Sequence, residues 1–125
     1  MAHGIFSRVR WLIVPLSTVL LAIATACTVC TEQIVGETTS PDHQWTTRTT
    51  VRDCGNLSTP TMNVYLQHVD SRARLGEIVV LVRHNHVLKI AWTANTQIHI
   101  DCPGCGEDVR IARPSVHGIS IVVSR

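Results

Sequence analysis

From Gln44 to Arg125 the chain is cut into short runs by turn-forming residues, and no stretch keeps a 3.6-residue apolar period over three turns. That pattern argues against a helical bundle and for strands. Trp45 to Asp53, WTTRTTVRD, is dense in β-branched Thr and closes on Cys54-Gly55-Asn56. Met62, Val64 and Leu66 alternate with Asn63, Tyr65 and Gln67, the period of a half-buried strand. Glu77 to Arg83 contains IVVLV, a continuous apolar run suited to a central strand covered on both faces. Leu88, Ile90 and Trp92 alternate with Lys89 and Ala91, Ala94-Asn95 supplies a tight turn, and Ile98 and Ile100 resume the alternation. Cys102-Pro103-Gly104-Cys105-Gly106 forces a loop. Val109 and Ile111 begin a further run, Pro114 to His117 interrupt it, and Ile119, Ile121 and Val123 complete it. Six or seven strands at this spacing predict an all-β domain, a small antiparallel sandwich or open barrel. The alternative is an α+β domain with one short helix near Ser71–Leu75. A C-terminal run this apolar is expected to be paired, because a free apolar edge invites aggregation.

The first 26 residues read differently. MAHGIFSRVR carries two arginines and no acid, and Trp11 to Thr31 carries no charge at all. A basic start, an apolar run and a small-residue end make a secretory leader. Ala24-Thr25-Ala26 before Cys27 fits a signal-peptidase site and also resembles the bacterial lipoprotein box, in which the cysteine is lipidated and becomes the N-terminus. Ala24 stands where that box more often has Leu. Twenty-one uncharged residues also reach the ~20 needed to span a bilayer, so an uncleaved anchor and plain secretion remain alternatives. All three place Arg8 and Arg10 on the cytoplasmic side and the domain outside. The expected organisation is a signal peptide or membrane anchor over 1–26, a polar tether over 27–43 and a β-rich extracytoplasmic domain over 44–125. TEQIVGETTSPD, residues 31–42, carries the tether reading through its Thr, Ser, Glu and Gly content. A first strand around Gln33–Val35 is the alternative.

Charge narrows the partners. Of the 11 Lys and Arg, Arg8 and Arg10 precede residue 27, leaving nine against the nine Asp and Glu. A formally neutral domain with one lysine, Lys89, lacks the clustered cations that nucleic-acid binding requires. The aromatics Phe6, Trp11, Trp45, Tyr65 and Trp92 are too few for a base-stacking platform. The expected partners are therefore a membrane and an unidentified protein, with no nucleic acid.

Five cysteines, Cys27, Cys30, Cys54, Cys102 and Cys105, are an odd number for an exported chain. Lipidation of Cys27 would leave Cys30, Cys54, Cys102 and Cys105 as an even set, which an oxidising compartment would close into two disulfides. Cys54 and Cys102 each follow a strand, so a bridge from Cys54 to Cys102 or Cys105 is the expected pairing, worth ~2–4 kcal/mol. A local Cys102–Cys105 bridge that leaves Cys30 for Cys54 is the alternative. Two other chemistries use the same residues. Cys27-x-x-Cys30 with Cys102-x-x-Cys105 has zinc-site spacing, but the first pair straddles the processing site. A CPGC redox pair needs a following helix to lower the first thiol's pKa, and Val109-Arg110-Ile111 reads as strand.

No other catalytic pattern stands out. There is no G-x-S-x-G and no phosphate-cradling glycine loop. Of the seven histidines, His3, His43, His68, His84, His86, His99 and His117, only His84 and His86 are spaced to chelate, with His99 or His68 as a third ligand. No acidic residue adjoins them in sequence, so a solvated turn is the expected reading and neither a metal site nor a cofactor is assigned. Arg52 and Asp53 are expected to form a surface ion pair worth under ~1 kcal/mol.

SPDHQW…TVRDCG, together with Ile90-Ala91-Trp92, Asn95-Thr96 and the final run Val116–Val123, resembles a family of small bacterial envelope proteins with an R-D-C-G motif. The likeness covers residues 40–123 and departs after Gly55, where Asn56-Leu57-Ser58 replaces the family's Ala-Thr-Thr. It implies a lipoprotein-like or secreted small domain of the cell envelope and carries no catalytic residue. The expectation is a non-enzymatic, membrane-tethered β-domain with a binding or envelope-structural role, on the extracytoplasmic face of a bacterial membrane (periplasm or cell surface). A thiol-redox or zinc-binding protein using Cys102 and Cys105, and an immunity or inhibitor protein, are the alternatives.

Overall fold

The computed structural model describes residues 29–125; the leader over 1–26 and the lipidation candidate Cys27 lie outside the described residues. The runs delimited by turn residues become nine strands: β1 (Thr31–Thr39), β2 (Trp45–Asp53), β3 (Thr61–His68), β4 (Glu77–Arg83), β5 (Lys89–Ala94), β6 (Gln97–Asp101), β7 (Val109–Ala112), β8 (Ser115–Val116) and β9 (Ile119–Ser124). They form a five-stranded sheet, β1-β2-β3-β4-β7, and a four-stranded sheet, β5-β6-β9-β8. The described residues form an all-β domain, as expected, and neither sheet closes into a barrel. The pairings are antiparallel except β6–β9, which is parallel from Gln97↔Ser120 to Asp101↔Ser124. The apolar C-terminal strand is paired on both sides, by β6 and β8.

One core joins the two sheets. Met62, Val64 and Leu66 of β3 and Val80 and Val82 of β4 meet Ile98 and Ile100 of β6 and Ile119 and Ile121 of β9. Each such side chain taken fully from water contributes roughly 1.5–3 kcal/mol. In β4, Val79, Val80 and Val82 are buried while Ile78 and Leu81 are only half-buried, so the strand lies between β3 and β7, inside its sheet but not at its centre, and is not sealed on its outer face.

One alternative and two expectations are corrected. Residues 71–76 form no helix: they are an extended loop with a bend at Arg74-Leu75, and the one helical turn among the described residues is Gly106–Asp108. Gly76, just beyond that bend, ties the end of the 71–76 loop to β3. A Cβ there would collide with the backbone carbonyl of Leu66 and lie 2.7 Å from Gln67 Cβ, so the chain at Gly76 is pressed onto β3. The segment read as a tether is instead mostly β1, in register with β2 from Thr31↔Asp53 to Thr39↔Thr46. Its polar residues are cross-strand partners. The Glu32 carboxylate accepts hydrogen bonds from Thr50 (2.8 Å) and Tyr65 (2.9 Å), and Arg48 Nε donates to Glu37 at 2.8 Å. Burial raises the Glu32 pKa, but these donors and the Arg52 charge outweigh it and leave it lowered. The Ser-Pro-Asp stretch is the β1–β2 turn. Ser40 Oγ donates to Asp42 (2.6 Å) and accepts from the Trp45 N–H (3.0 Å). The expected Arg52–Asp53 ion pair does not form: neighbouring strand residues point to opposite faces, and Asp53 Oδ1 instead accepts the Gly55 N–H at 2.9 Å.

Candidate functional site

β4 and β7 run antiparallel, with Val80 opposite Ala112 and Val82 opposite Val109. That register puts the residues just past the end of β4 beside those just before β7. His84 and His86 follow β4, and Asp108 precedes β7. Asp108 Oδ2 lies 3.1 Å from His84 Nδ1 and 2.8 Å from His86 Nε2, so one carboxylate oxygen serves both rings. The three ligand-type atoms all lie within 4.8 Å of one another.

Each residue is held through its backbone. The His84 N–H donates to Pro60 O (2.8 Å), and the His86 N–H points at Met62 Sδ (3.1 Å). The Asp108 N–H donates to Cys105 O (2.8 Å), and the Cys105 N–H donates to Cys102 O (3.1 Å). Cys102 and Cys105 are buried and joined by a disulfide, so the loop that presents Asp108 is covalently closed. His84 sits at φ 63°, a left-handed conformation in which a side chain costs ~1 kcal/mol or more relative to glycine. The cluster is half-wet: His86 is 19% exposed and Asp108 30%, while His84 is 54% exposed. Hydrogen bonds from His86 and then His84 hold the Asp108 carboxyl below its ordinary range, against a smaller opposing effect of burial. The arrangement is two imidazole nitrogens and a carboxylate oxygen converging on one point, which can share a proton or hold a cation. Beside it opens a shallow groove of about 310 Å³ between β1–β2 and the β4–β5 loop, lined by Val35, Thr49, Met62, His86 and Leu88.

A second carboxylate cluster occupies the other end of the same strand pair. Glu77, at the start of β4, bonds Arg113, just past β7, and also receives His117 Nε2 at 2.9 Å. The His117 ring stacks on Trp45 with centroids 5.6 Å apart.

The cysteine pairing differs from the favoured expectation. The disulfides are Cys30–Cys54 and Cys102–Cys105. This is the alternative pairing, and the Thr31↔Asp53 register accounts for it by setting Cys30 directly beside Cys54. Cys30, Cys102 and Cys105 are thus not free thiolates for the two-CxxC zinc site. The CPGC pair is buried and followed by a three-residue 3₁₀ turn in place of an α-helix, so the dipole that would activate a redox thiol is missing from this loop. Neither proposed third ligand reaches His84 and His86. His99 Nε2 contacts Ser124 Oγ at 2.6 Å, and His68 packs edge-on against Trp45. The third group is Asp108, 22 residues from His86, and only the long-range β4–β7 register brings it there. The His99–Ser124 contact is not a catalytic pair with an orienting acid: no carboxylate bonds the other His99 nitrogen among the described residues. No protein-family model matches the chain, and neither a curated protein nor a solved structure matches it.

Proposed function

We propose that the chain is a membrane-tethered extracytoplasmic β-domain of a bacterial cell envelope, held by a lipid on Cys27 and acting by binding or as an envelope component, not as an enzyme. The cysteine pairing carries this reading. Cys30–Cys54 and Cys102–Cys105 account for four of the five cysteines, Cys27 being the fifth. Disulfides persist in oxidising compartments, and a small domain outside the cell gains most from them. The apolar, uncharged approach to Cys27 supports the same address. The resemblance of SPDHQW…TVRDCG to small envelope proteins points the same way, and here those residues form the β1–β2 hairpin and its exit.

The test is metabolic labelling with a radiolabelled fatty acid in a bacterial host, comparing wild type with Cys27→Ser. Label on wild type and none on the variant is the expected result. Equal label on both would remove the lipid anchor, and a wild type found in the soluble extracytoplasmic fraction would remove the tether altogether. Intact mass with and without reductant, expected to reveal two disulfides, tests the address separately.

A further inference from the structure

We propose that His84, His86 and Asp108 form a binding site for a divalent transition-metal ion of the zinc class, through His84 Nδ1, His86 Nε2 and Asp108 Oδ2. Nothing in this inference depends on how the domain is anchored.

Distance comes first. Ligand atoms ~2.0–2.1 Å from a tetrahedral zinc stand ~3.3 Å from each other. The two nitrogens already stand 3.1 and 2.8 Å from the carboxylate oxygen, and all three ligand atoms lie within 4.8 Å of one another, so a metal enters by side-chain adjustment alone. The ion replaces two hydrogen bonds to one oxygen with three coordinate bonds.

Charge and softness agree with distance. The side chains that bond the Asp108 carboxylate are the two imidazoles, with no guanidinium or ammonium among them. Neutral imidazoles with one carboxylate give a site of net charge −1, which attracts a dication. Glu77 offers the contrast, because its carboxylate is already occupied by the Arg113 guanidinium. Two nitrogen donors to one oxygen select zinc, copper or nickel over magnesium and calcium, which take oxygen-rich shells. Three protein ligands leave a fourth position for water.

Preorganisation is the third element. The three backbones are fixed by separate anchors: Pro60 O, Met62 Sδ and the disulfide-closed Cys102–Cys105 loop. His84 also holds a left-handed conformation, a strained backbone of the kind that clusters at functional sites.

The experiment uses the full chain in detergent with disulfides intact, stripped of metal by chelator and titrated with Zn²⁺. One zinc per chain is expected after gel filtration, retained in excess Mg²⁺ and Ca²⁺. Asp108→Asn and His86→Ala should each weaken binding at least tenfold, while His117→Ala binds as wild type. No zinc on folded wild type overturns the proposal, as does wild-type affinity in both site variants. Near-UV circular dichroism shows whether the variants are folded. A further readout needs no variant. Cobalt-loaded wild type should show the intense visible band of a tetrahedral site, and the weak spectrum of aqueous Co²⁺ would overturn the proposal.

Discussion

At one end of the β4–β7 pair a carboxylate faces an arginine and an imidazole; at the other it faces two imidazoles. Glu77 is exposed, and its lowered pKa comes first from the Arg113 hydrogen bond and then from His117. Asp108 is half-buried, and its lowered pKa comes from His86 and His84. The strand pair is the same, with one register shift between Leu81 and Val82, and the difference that bears on the carboxylates is one of partners. A guanidinium is a permanent cation with no lone pair to give, and it leaves the carboxylate satisfied. An imidazole carries a lone pair when neutral and can turn it toward a metal. One end is a surface ion-pair cluster, while the other has the composition of a ligand set.

The two ends also differ in what fixes them, and the largest expected effect tests this. Gly76 precedes Glu77 and lies against the Leu66 carbonyl, so Gly76→Ala forces β4 or the 69–76 loop away from β3. Overpacking against backbone should cost about 3 kcal/mol or more, read as a fall in the urea midpoint. Glu77 should lose its partners in this variant while the folded fraction still binds one zinc at Asp108. A midpoint within ~1 kcal/mol of wild type would mean that the loop is not clamped there.

The Asp108 end depends instead on a covalent clip. Cys102 and Cys105 are three residues apart, so removing their bridge by Cys102→Ala with Cys105→Ala should cost only about 2 kcal/mol on the chain-entropy relation. The 24-residue separation of Cys30 and Cys54 makes that bridge the larger contributor, ~3.5 kcal/mol. Zinc affinity should nonetheless fall at least tenfold on losing Cys102–Cys105, because Asp108 then sits on an open loop, and should be unchanged on losing Cys30–Cys54. Calorimetry on both double variants decides it. If both bind zinc as wild type, the disulfide plays no part in placing the carboxylate.

Acid separates the ends less. Both carboxyls have folded-state pKa values below their ordinary ones, so each contributes stability that is complete above the ordinary carboxylate pKa and is lost as pH falls through the depressed value. The window lies below about pH 4. Asp108→Asn and Glu77→Gln should each flatten the decline of the urea midpoint between pH 5 and 3, without moving the midpoint's pH dependence above that range. A wild-type slope in either variant would show that its partners do not favour the ionised form.

The strand content was legible because its signals are local. Alternation at Met62–Gln67, the IVVLV run and the Asn95 turn each depend on residues within a few positions, and the strands β3 and β4 and the β5–β6 hairpin follow from them. β3 is nonetheless buried on both faces, Asn63, Tyr65 and Gln67 included, where alternation predicts a half-buried strand. β1 was misread because TEQIVGETT lacks a buried apolar face: its stability comes from cross-strand polar partners such as Glu32 with Thr50 and Tyr65, which local sequence does not reveal. The Cys30–Cys54 bridge stood only as the alternative pairing for the same reason. The metal-type cluster was half legible. His84-x-His86 gives the chelating spacing, but Asp108 arrives through β4–β7 pairing, and the acids of Gly106-Glu107-Asp108 read only as part of a loop.

The smallest effect bears most directly on why the two ends differ. Arg113 and Glu77 are both nearly half-exposed, so Arg113→Ala should cost less than ~1 kcal/mol, the usual worth of an exposed pair. Its value lies in the companion substitution. Arg113→His would set a second imidazole beside His117 on Glu77, copying the composition of the Asp108 end without its disulfide-closed loop. If partner identity alone separates the ends, this variant should take up a second zinc, more weakly than the first. If it binds one zinc as wild type does, composition is insufficient, and the anchoring of His84, His86 and Asp108 by Pro60, Met62 and the Cys102–Cys105 loop makes the difference. Equilibrium dialysis of Arg113→His against Zn²⁺, with Arg113→Ala as the control that removes the cation without adding a ligand, separates the two. A second zinc on Arg113→Ala as well would place the cause in the guanidinium's charge.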